Sequence, residues 1–308
     1  MRPTICMLGS SNIDLIARVP RLPAPGETLI GSLFSMGFGG KGANQAVMAA
    51  RLGAQVAVVT KVGKDIFGTD TLNNYKAQGI DTTFVLFDEE RFSGVAPITV
   101  DEHTGQNSIV IVSGANDGLS PADARAASSA IQSAQLLICQ LEIPLETTLE
   151  AFRIAKEAGT VRTILNPAPA QPLSDELLRL TDIIAPNETE TALLTGLPVQ
   201  TDAQAVEAAH ALRARGPGTV ILTLGARGAL FIEGAGEPVF VAAQQVQAVD
   251  STGAGDAFVG SLAYFLGSGQ PMRVAVERAC AVATRSVLNI GTQKSFPYAA
   301  DIPEIMAE

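Results

Sequence analysis

The sequence predicts an α/β fold with a central, mostly parallel sheet, helices on both faces and a small β-sheet lid. Three observations carry that prediction. Short β-branched runs alternate with longer Ala/Leu-rich stretches of helical period, which is how parallel βαβ units read. Several of the helical stretches stop at Gly or Pro, as helix ends commonly do. Two strand-rich excursions, residues 14–38 and 94–112, break the alternation and carry no connecting helix.

In chain order, the strand candidates are Ile5 to Leu8, Val56 to Val59, Leu136 to Cys139, Thr163 to Leu165, Asp182 to Ala185 and Val220 to Leu224. The amphipathic helix candidates between them are Ala43 to Leu52, Ala122 to Ser133, Leu145 to Ala158 and Ala203 to Arg215. The first excursion holds Pro20, Pro23, Pro25 and Gly26 among short strand-like pieces. The second reads as a hairpin, with apolar alternation on either side of a polar turn at Gly105. The economical arrangement pairs the two excursions into a small second sheet, a lid over one edge of the large one.

The 308 residues are about twice an average domain. With no long linker, repeat or low-complexity tract, residues 1–308 read as one α/β unit plus the lid. A hydrophobic fraction of 47% against 17% charged residues excludes a disordered chain, and no apolar run reaches the ~18 residues a membrane span needs. The formal charge of −10, without any Lys/Arg block, opposes binding to a nucleic-acid backbone. The short apolar N-terminus runs into Ser10-Ser11-Asn12-Ile13-Asp14 rather than a cleavage site, so a cytoplasmic protein is expected. Cys6, Cys139 and Cys280 are widely spaced in apolar segments and read as buried thiols. With His103 in a turn-like stretch and His210 in a helix-like one, neither a His-rich zinc site nor a Ser-His-Asp triad is expected.

The strongest chemical signal is Asp250-Ser251-Thr252-Gly253-Ala254-Gly255-Asp256, a small-residue turn leading into an apolar helix through Leu266. The backbone N–H groups of Ala254, Gly255 and Asp256 beside a helix dipole make an anion site. A carboxylate there repels the anion unless it takes a proton from an attacking hydroxyl; the alternative is that Asp256 is a helix N-cap. The run Gly37-Phe38-Gly39-Gly40-Lys41-Gly42 satisfies G-x-G-x-x-G, yet ~30 residues separate it from the first strand, unlike a dinucleotide fingerprint. A Walker A loop fails as well, because position 35 is Ser and Gly42 follows Lys41. What remains is a close backbone approach with Lys41 and Asn44 as donors for a polyhydroxylated ligand.

Asn12, Asp14 and Glu142 lie at the C-terminal ends of strands, where open α/β sheets place ligands. Asn187 and Glu190 share a helix face and suit either hydrated magnesium or a capping box. Thr223-Leu224-Gly225-Ala226-Arg227-Gly228 closes a strand with a backbone that a ligand could approach or that merely turns.

Gly39-Gly40-Lys41-Gly42-Ala43-Asn44, Asn187-Glu188-Thr189-Glu190, Thr223-Leu224-Gly225 and the 250–256 turn together resemble the signatures of the ribokinase (PfkB-type) carbohydrate kinases. The resemblance spans almost the whole chain and implies a ribokinase-like fold. Ser11-Asn12-Ile13-Asp14, Gln140-Leu141-Glu142 and Asn166-Pro167-Ala168-Pro169-Ala170 resemble its ribose-phosphorylating members. It implies ATP-dependent phosphorylation of the 5-hydroxyl of D-ribose, with Asp256 as general base and the 253–256 amides, those of Gly253, Ala254 and Gly255 included, stabilising phosphoryl charge. It further implies that Asn12, Asp14, Gly40, Lys41, Asn44 and Glu142 hold the sugar. Asn187, Thr223, Gly225, Gly228 and Gly255 would line the ATP site, with Cys280 where such kinases often carry His or Asn near adenine. Asn187 and Glu190 would act through Mg2+ and its waters. Asp250, Thr252, Ser286, Asn289, Gly291 and Ser295 would offer oxygens to K+. A homodimer through the lid is also implied, since exposed strand edges seek partners. Left open are a relative acting on 2-deoxyribose, another sugar or a nucleoside, and a non-catalytic sugar-sensing regulator.

Overall fold

The computed structural model describes residues 2–307. It opens with β1 (Thr4–Leu8), followed by β2 (Asn12–Val19), β3 (Leu33–Gly39) and α1 (Lys41–Leu52). Then come β4 (Gln55–Gly63), α2 (Ile66–Ala77), β5 (Asp81–Asp88), β6 (Gly94–Asp101) and β7 (Asn107–Ile109). α3 (Pro121–Ala126) and α4 (Ser128–Ser133) precede β8 (Leu136–Cys139), α5 (Leu145–Ala158) and β9 (Arg162–Leu165). The chain continues through α6 (Asp175–Arg179), β10 (Ile183–Ile184), α7 (Glu188–Thr195) and α8 (Asp202–Ala214). β11 (Thr219–Thr223), β12 (Ala229–Glu233), β13 (Val239–Val241), α9 (Ala254–Gly267) and α10 (Met272–Ser286) complete the frame.

Nine strands form one sheet in the order β13-β12-β11-β10-β9-β8-β1-β4-β5, parallel except where β12 and β13 run antiparallel at one edge. Both faces are buried, so successive side chains of one strand enter different cores. Ile5 and Met7 of β1 join a cluster with α1, α9 and α10, while Cys6 and Leu8 join one with α4, α5 and α8. A parallel sheet covered on both sides needs such continuous apolar strands, which is why they were legible as short β-branched runs.

The strand order also says where a ligand belongs. From β1 the chain moves outward through β4 and β5, then returns to place β8 on the other side of β1 and continues to β9, β10 and β11. The order therefore reverses between β1 and β8, and the crevice outside their C-terminal ends is the site position of open α/β sheets. The residues just beyond those ends are Ser10 to Asp14 and Gln140 to Glu142.

The two excursions pair as the sequence predicts, into a separate four-stranded sheet ordered β3-β2-β6-β7. β2 and β6 are parallel, with Asn12 opposite Gly94, and β6 turns back into β7 as the expected hairpin. Three element expectations need correction. The helix expected over Ala122 to Ser133 is two, because Ala127 at φ −90° and ψ 11° interrupts it. The strand expected over Asp182 to Ala185 is reduced to Ile183–Ile184, although the Asp182 carbonyl and the Ala185 N–H still bond to the neighbouring strands, at Thr219 and Leu165. Asp256 is not an N-cap: Gly253, at φ 81°, caps α9, and Asp256 is its third residue.

Candidate active site

Three cavities are lined by residues that the sequence singled out. The first, of about 390 Å³, lies by the crevice and is lined by Asn12, Asn116 and Glu142 together with Ile111 of the lid. The second, of about 160 Å³, is polar and lined by Lys41, Asn166, Asn187, Glu190, Thr223, Gly253, Gly255 and Asp256. The third, of about 480 Å³, lies between the β11–β12 turn and α10, and Gly225, Gly228, Ala254, Gly255, Cys280 and Thr284 are on its wall. Asn187, Thr223 and Gly255 border both the second and the third.

Glycines bring the backbone of this site together. A Cβ on Gly42 would stand 2.7 Å from the Gly9 carbonyl carbon and the Ser10 nitrogen, so only glycine lets α1 start against the β1–β2 turn. A Cβ on Gly40, at φ 86°, would likewise stand 2.7 Å from the Asn12 nitrogen. The G-x-G-x-x-G pattern thus serves chain packing. Its effect is to set Lys41 beside Glu142, whose Oε2 accepts from the Lys41 backbone N–H at 3.0 Å and from Ser10 Oγ at 2.6 Å. Asn12 is aligned by Asn116, whose Nδ2 donates to Asn12 Oδ1 at 2.8 Å.

The charges around Asp14 and Lys41 are mutually dependent. Burial, with Glu142 and Asp256 nearby, pushes the Asp14 carboxyl up to about 7. Burial opposes charge on Lys41, but Asp256, Glu142 and Glu190 outweigh it and hold the ammonium above its usual value. Glu190 is raised by burial and by Asp256, against the hydrogen bond from Asn187 and the attraction of Lys41. One cation, Lys41, thus faces a cluster of carboxylates.

Asp256 is buried at the start of α9, where Oδ2 accepts from Asn44 Nδ2 and Oδ1 from Gln45 Nε2, both at 2.9 Å. The carboxylate is fixed in orientation beside the first free N–H groups of the helix. A Cβ on Gly253 would stand 2.5 Å from Thr292 Cγ2, so the turn before α9 also requires glycine.

Asn187 and Glu190 satisfy both readings of their spacing. Asn187 Oδ1 accepts from the Glu190 backbone N–H and Glu190 Oε2 from the Asn187 N–H, a reciprocal capping box at 2.8 Å each, while both residues line the second cavity. Cys280 is buried on the third cavity's wall, its thiol pushed up to about 12 by burial and by Glu277. Cys6 and Cys139 lie in the core and line none of the three cavities.

The two segments expected to share a cation adjoin each other. The Asp250 carboxylate accepts from the Thr252 and Gly291 N–H groups at 2.9 Å, and the Val249 N–H donates to the Val287 carbonyl. Burial raises Asp250, but these hydrogen bonds prevail and hold it below the usual carboxylate range. Ser286 and Asn289 belong to the same loop junction, whereas Ser295 sits in a one-turn helix with its Oγ donating to the Thr292 carbonyl.

Sequence reasoning missed Gln45, Asn116 and Ser10, whose roles arise from buried contacts with residues far along the chain. Asn44 was expected to face sugar; here its amide lies between Asp256 and Gln293.

A family model described as pfkB family carbohydrate kinase matches residues 2–299. Ribokinase from Mus musculus is 44% identical over 304 residues, covering 97% of this chain and 93% of that protein. Deoxyribokinase from Salmonella typhi is 41% identical over 304 residues, covering 98% of both. Among solved structures, Arabidopsis thaliana ribokinase complexed with ribose and ATP superposes with a TM-score of 0.91 at 30% identity, covering 100% of both chains. With nearly the full length matched, and with the glycine turn, capping box and buried helix-start carboxylate assembled around adjoining cavities, the chain belongs to the pfkB family of carbohydrate kinases.

Proposed function

We propose that this chain transfers the γ-phosphoryl group of ATP to the 5-hydroxyl of D-ribose, giving ribose 5-phosphate and ADP. The observation that carries this reading is the buried Asp256 carboxylate, oriented by two amides at the start of α9 beside two adjoining cavities. A pure binder has no need of such a group next to an anion site. The Mus musculus and Arabidopsis thaliana relatives, one named for ribose phosphorylation and the other solved with ribose and ATP, support the substrate pair.

In this reading Asn12, Asp14, Gly40, Lys41, Asn44 and Glu142 hold the sugar, and Asn187, Thr223, Gly225, Gly228, Gly255 and Cys280 border the nucleotide. The sugar oxygen attacks the γ-phosphorus as its proton passes to Asp256. The bond from that phosphorus to the bridging oxygen breaks, and ADP leaves with the electron pair. N–H groups of residues 253–256 donate to the phosphoryl oxygens as their charge redistributes, and Lys41 adds positive charge. Asn187 and Glu190 line the polar cavity, and Glu190 keeps one carboxylate oxygen outside the capping box, so the pair fits Mg2+, which would supply charge neutralisation between phosphates. Asp250, Thr252, Ser286, Asn289, Gly291 and Ser295 fit K+ as an oxygen donor set on adjoining segments, most of them offering carbonyls.

The chain is read as one α/β unit whose four-stranded sheet closes over the sugar, and as a cytoplasmic protein. Leu33, Phe34, Met36, Ile109 and Val110 are exposed apolar residues on or next to the two edge strands of that sheet, β3 and β7, and they support a homodimer formed through it. No helix among the described residues is long and apolar enough to cross a membrane. The Salmonella typhi deoxyribokinase, similar over nearly the whole chain, supports 2-deoxyribose as a second reading.

ADP release from ATP and magnesium, with D-ribose, 2-deoxyribose, fructose or a nucleoside and with or without potassium, tests the proposal. The expected result is a ribose preference enhanced by potassium. Preference for 2-deoxyribose replaces the substrate; ribose binding without ADP release with any sugar leaves a sensor.

A further inference from the structure

We propose that Gln45 and Gln293 are positioning residues: two converging chains of side-chain amides hold Asp256 so that each oxygen always meets a donor. The inference rests on Asp256 being the proton acceptor. One chain runs from Asn74 Nδ2 to Gln293 Oε1 at 3.0 Å, from Gln293 Nε2 to Asn44 Oδ1 at 3.1 Å, and from Asn44 Nδ2 to Asp256 Oδ2 at 2.9 Å. The other runs from Gln140 Nε2 to Gln45 Oε1 at 2.7 Å and from Gln45 Nε2 to Asp256 Oδ1 at 2.9 Å. Every amide donates toward the carboxylate.

That direction is fixed by groups that only accept. An ionised carboxylate has no hydrogen to give, so Asn44 must turn its NH2 to Asp256 and its oxygen to Gln293. Gln293 must then present its own NH2, leaving its oxygen for Asn74. On the second chain the anchor is a backbone carbonyl. Asn166 Nδ2 donates to the Ala185 carbonyl at 2.9 Å, so Asn166 Oδ1 faces Gln45, whose Nε2 donates to it at 3.0 Å. The remaining Nε2 hydrogen goes to Asp256. Gln45 is wholly buried and lines none of the three cavities, which separates it from sugar and nucleotide binding.

Aligned amides polarise one another in a buried chain, and hydrogen bonds to the charged form favour it. Here they give each Asp256 oxygen a donor and fix the carboxylate in one orientation. Gln293 lies next to the loop carrying Gly291, so this chain also links that loop to the site of proton transfer. The charged groups facing Asp256 from other elements are Asp14, Lys41 and Glu190, with Glu142 behind Lys41. All four stay the same in the variants below, so a change between variants reports the donors removed.

The test uses the full chain with Gln45→Met and Gln293→Met, near-isosteric replacements that remove the amide, and measures kcat against pH together with ribose binding and the ATP KM. The expected result for each is a kcat at least about 10-fold lower, ribose affinity and ATP KM within about 2-fold, and an acid limb moved to higher pH. Parent-like kcat, or a lower kcat with an unmoved limb, overturns the proposal by leaving only packing. If Gln45→Met does not fold, Gln293→Met carries the same test. Asp256→Asn separates the two ideas: if it keeps turnover, the acceptor assignment itself fails; if it loses turnover while the Gln variants behave as the parent, only the positioning role falls.

Discussion

Asp14 shows how function is set against stability at a single residue. Its carboxyl holds a proton up to about 7 in the folded chain, because of burial first and Glu142 and Asp256 next, against an ordinary value of 3.8. Folding therefore takes up a proton between those two values, and stability falls as pH rises through that window. Asp14→Asn removes the buried charge. The expected outcome is a Tm raised by roughly 2 °C or more at pH 8, little change at pH 4, and weakened ribose binding, read by thermal melts and calorimetry. A Tm difference that is the same at both pH values would detach the effect from ionisation. Asp256, Asp14 and Glu142 were legible in the sequence because each follows a strand or opens a helix at the ligand end of the sheet. Gln45 and Asn116 were not, because a buried amide leaves no pattern in the chain; its meaning is the partner it reaches, more than 100 residues away in both cases.

Helix α1 is the element on which most of the site depends, since it carries Lys41, Asn44 and Gln45 and starts against the β1–β2 turn through Gly42. Gly42→Ala drives a methyl into the Gly9 and Ser10 backbone, which has no flexible end to yield. A loss of about 1–3 kcal/mol in denaturant unfolding is expected, with weaker ribose binding as Lys41 shifts. Unchanged stability would mean that α1 moves away freely. The glycine run was visible in the sequence, and its mismatch with nucleotide-binding fingerprints was visible too. Which backbone each glycine meets depends on how α1 packs against the β1–β2 turn. The antiparallel edge strands β12 and β13, like α2 and α10, escaped sequence reading. β13 is a three-residue edge strand and α2 has only a weak apolar period, so neither stands out in the chain, whereas α10 carries an apolar stripe as regular as that of α1.

At the scale of the molecule, the alternation of strands and helices carried the fold, and the two Pro- and turn-rich excursions carried the second sheet. The reversal of strand order between β1 and β8, which sets the crevice, could not be read, because sequence order does not dictate which neighbour a returning strand pairs with. The second sheet borders the first cavity through Ile111, and apolar residues on its two edge strands are exposed in the single chain. Saturating ribose should slow amide hydrogen exchange across residues 14–38, while equal exchange with and without ribose would show a sheet that does not close. The central claim, however, concerns one proton. Its most direct test is steady-state ADP release by Asp256→Asn at saturating ribose and ATP, with ribose binding measured alongside. Turnover lower by roughly 10²-fold or more with binding retained is the predicted result, and near-parent turnover would contradict the assignment of Asp256 as the group that takes it.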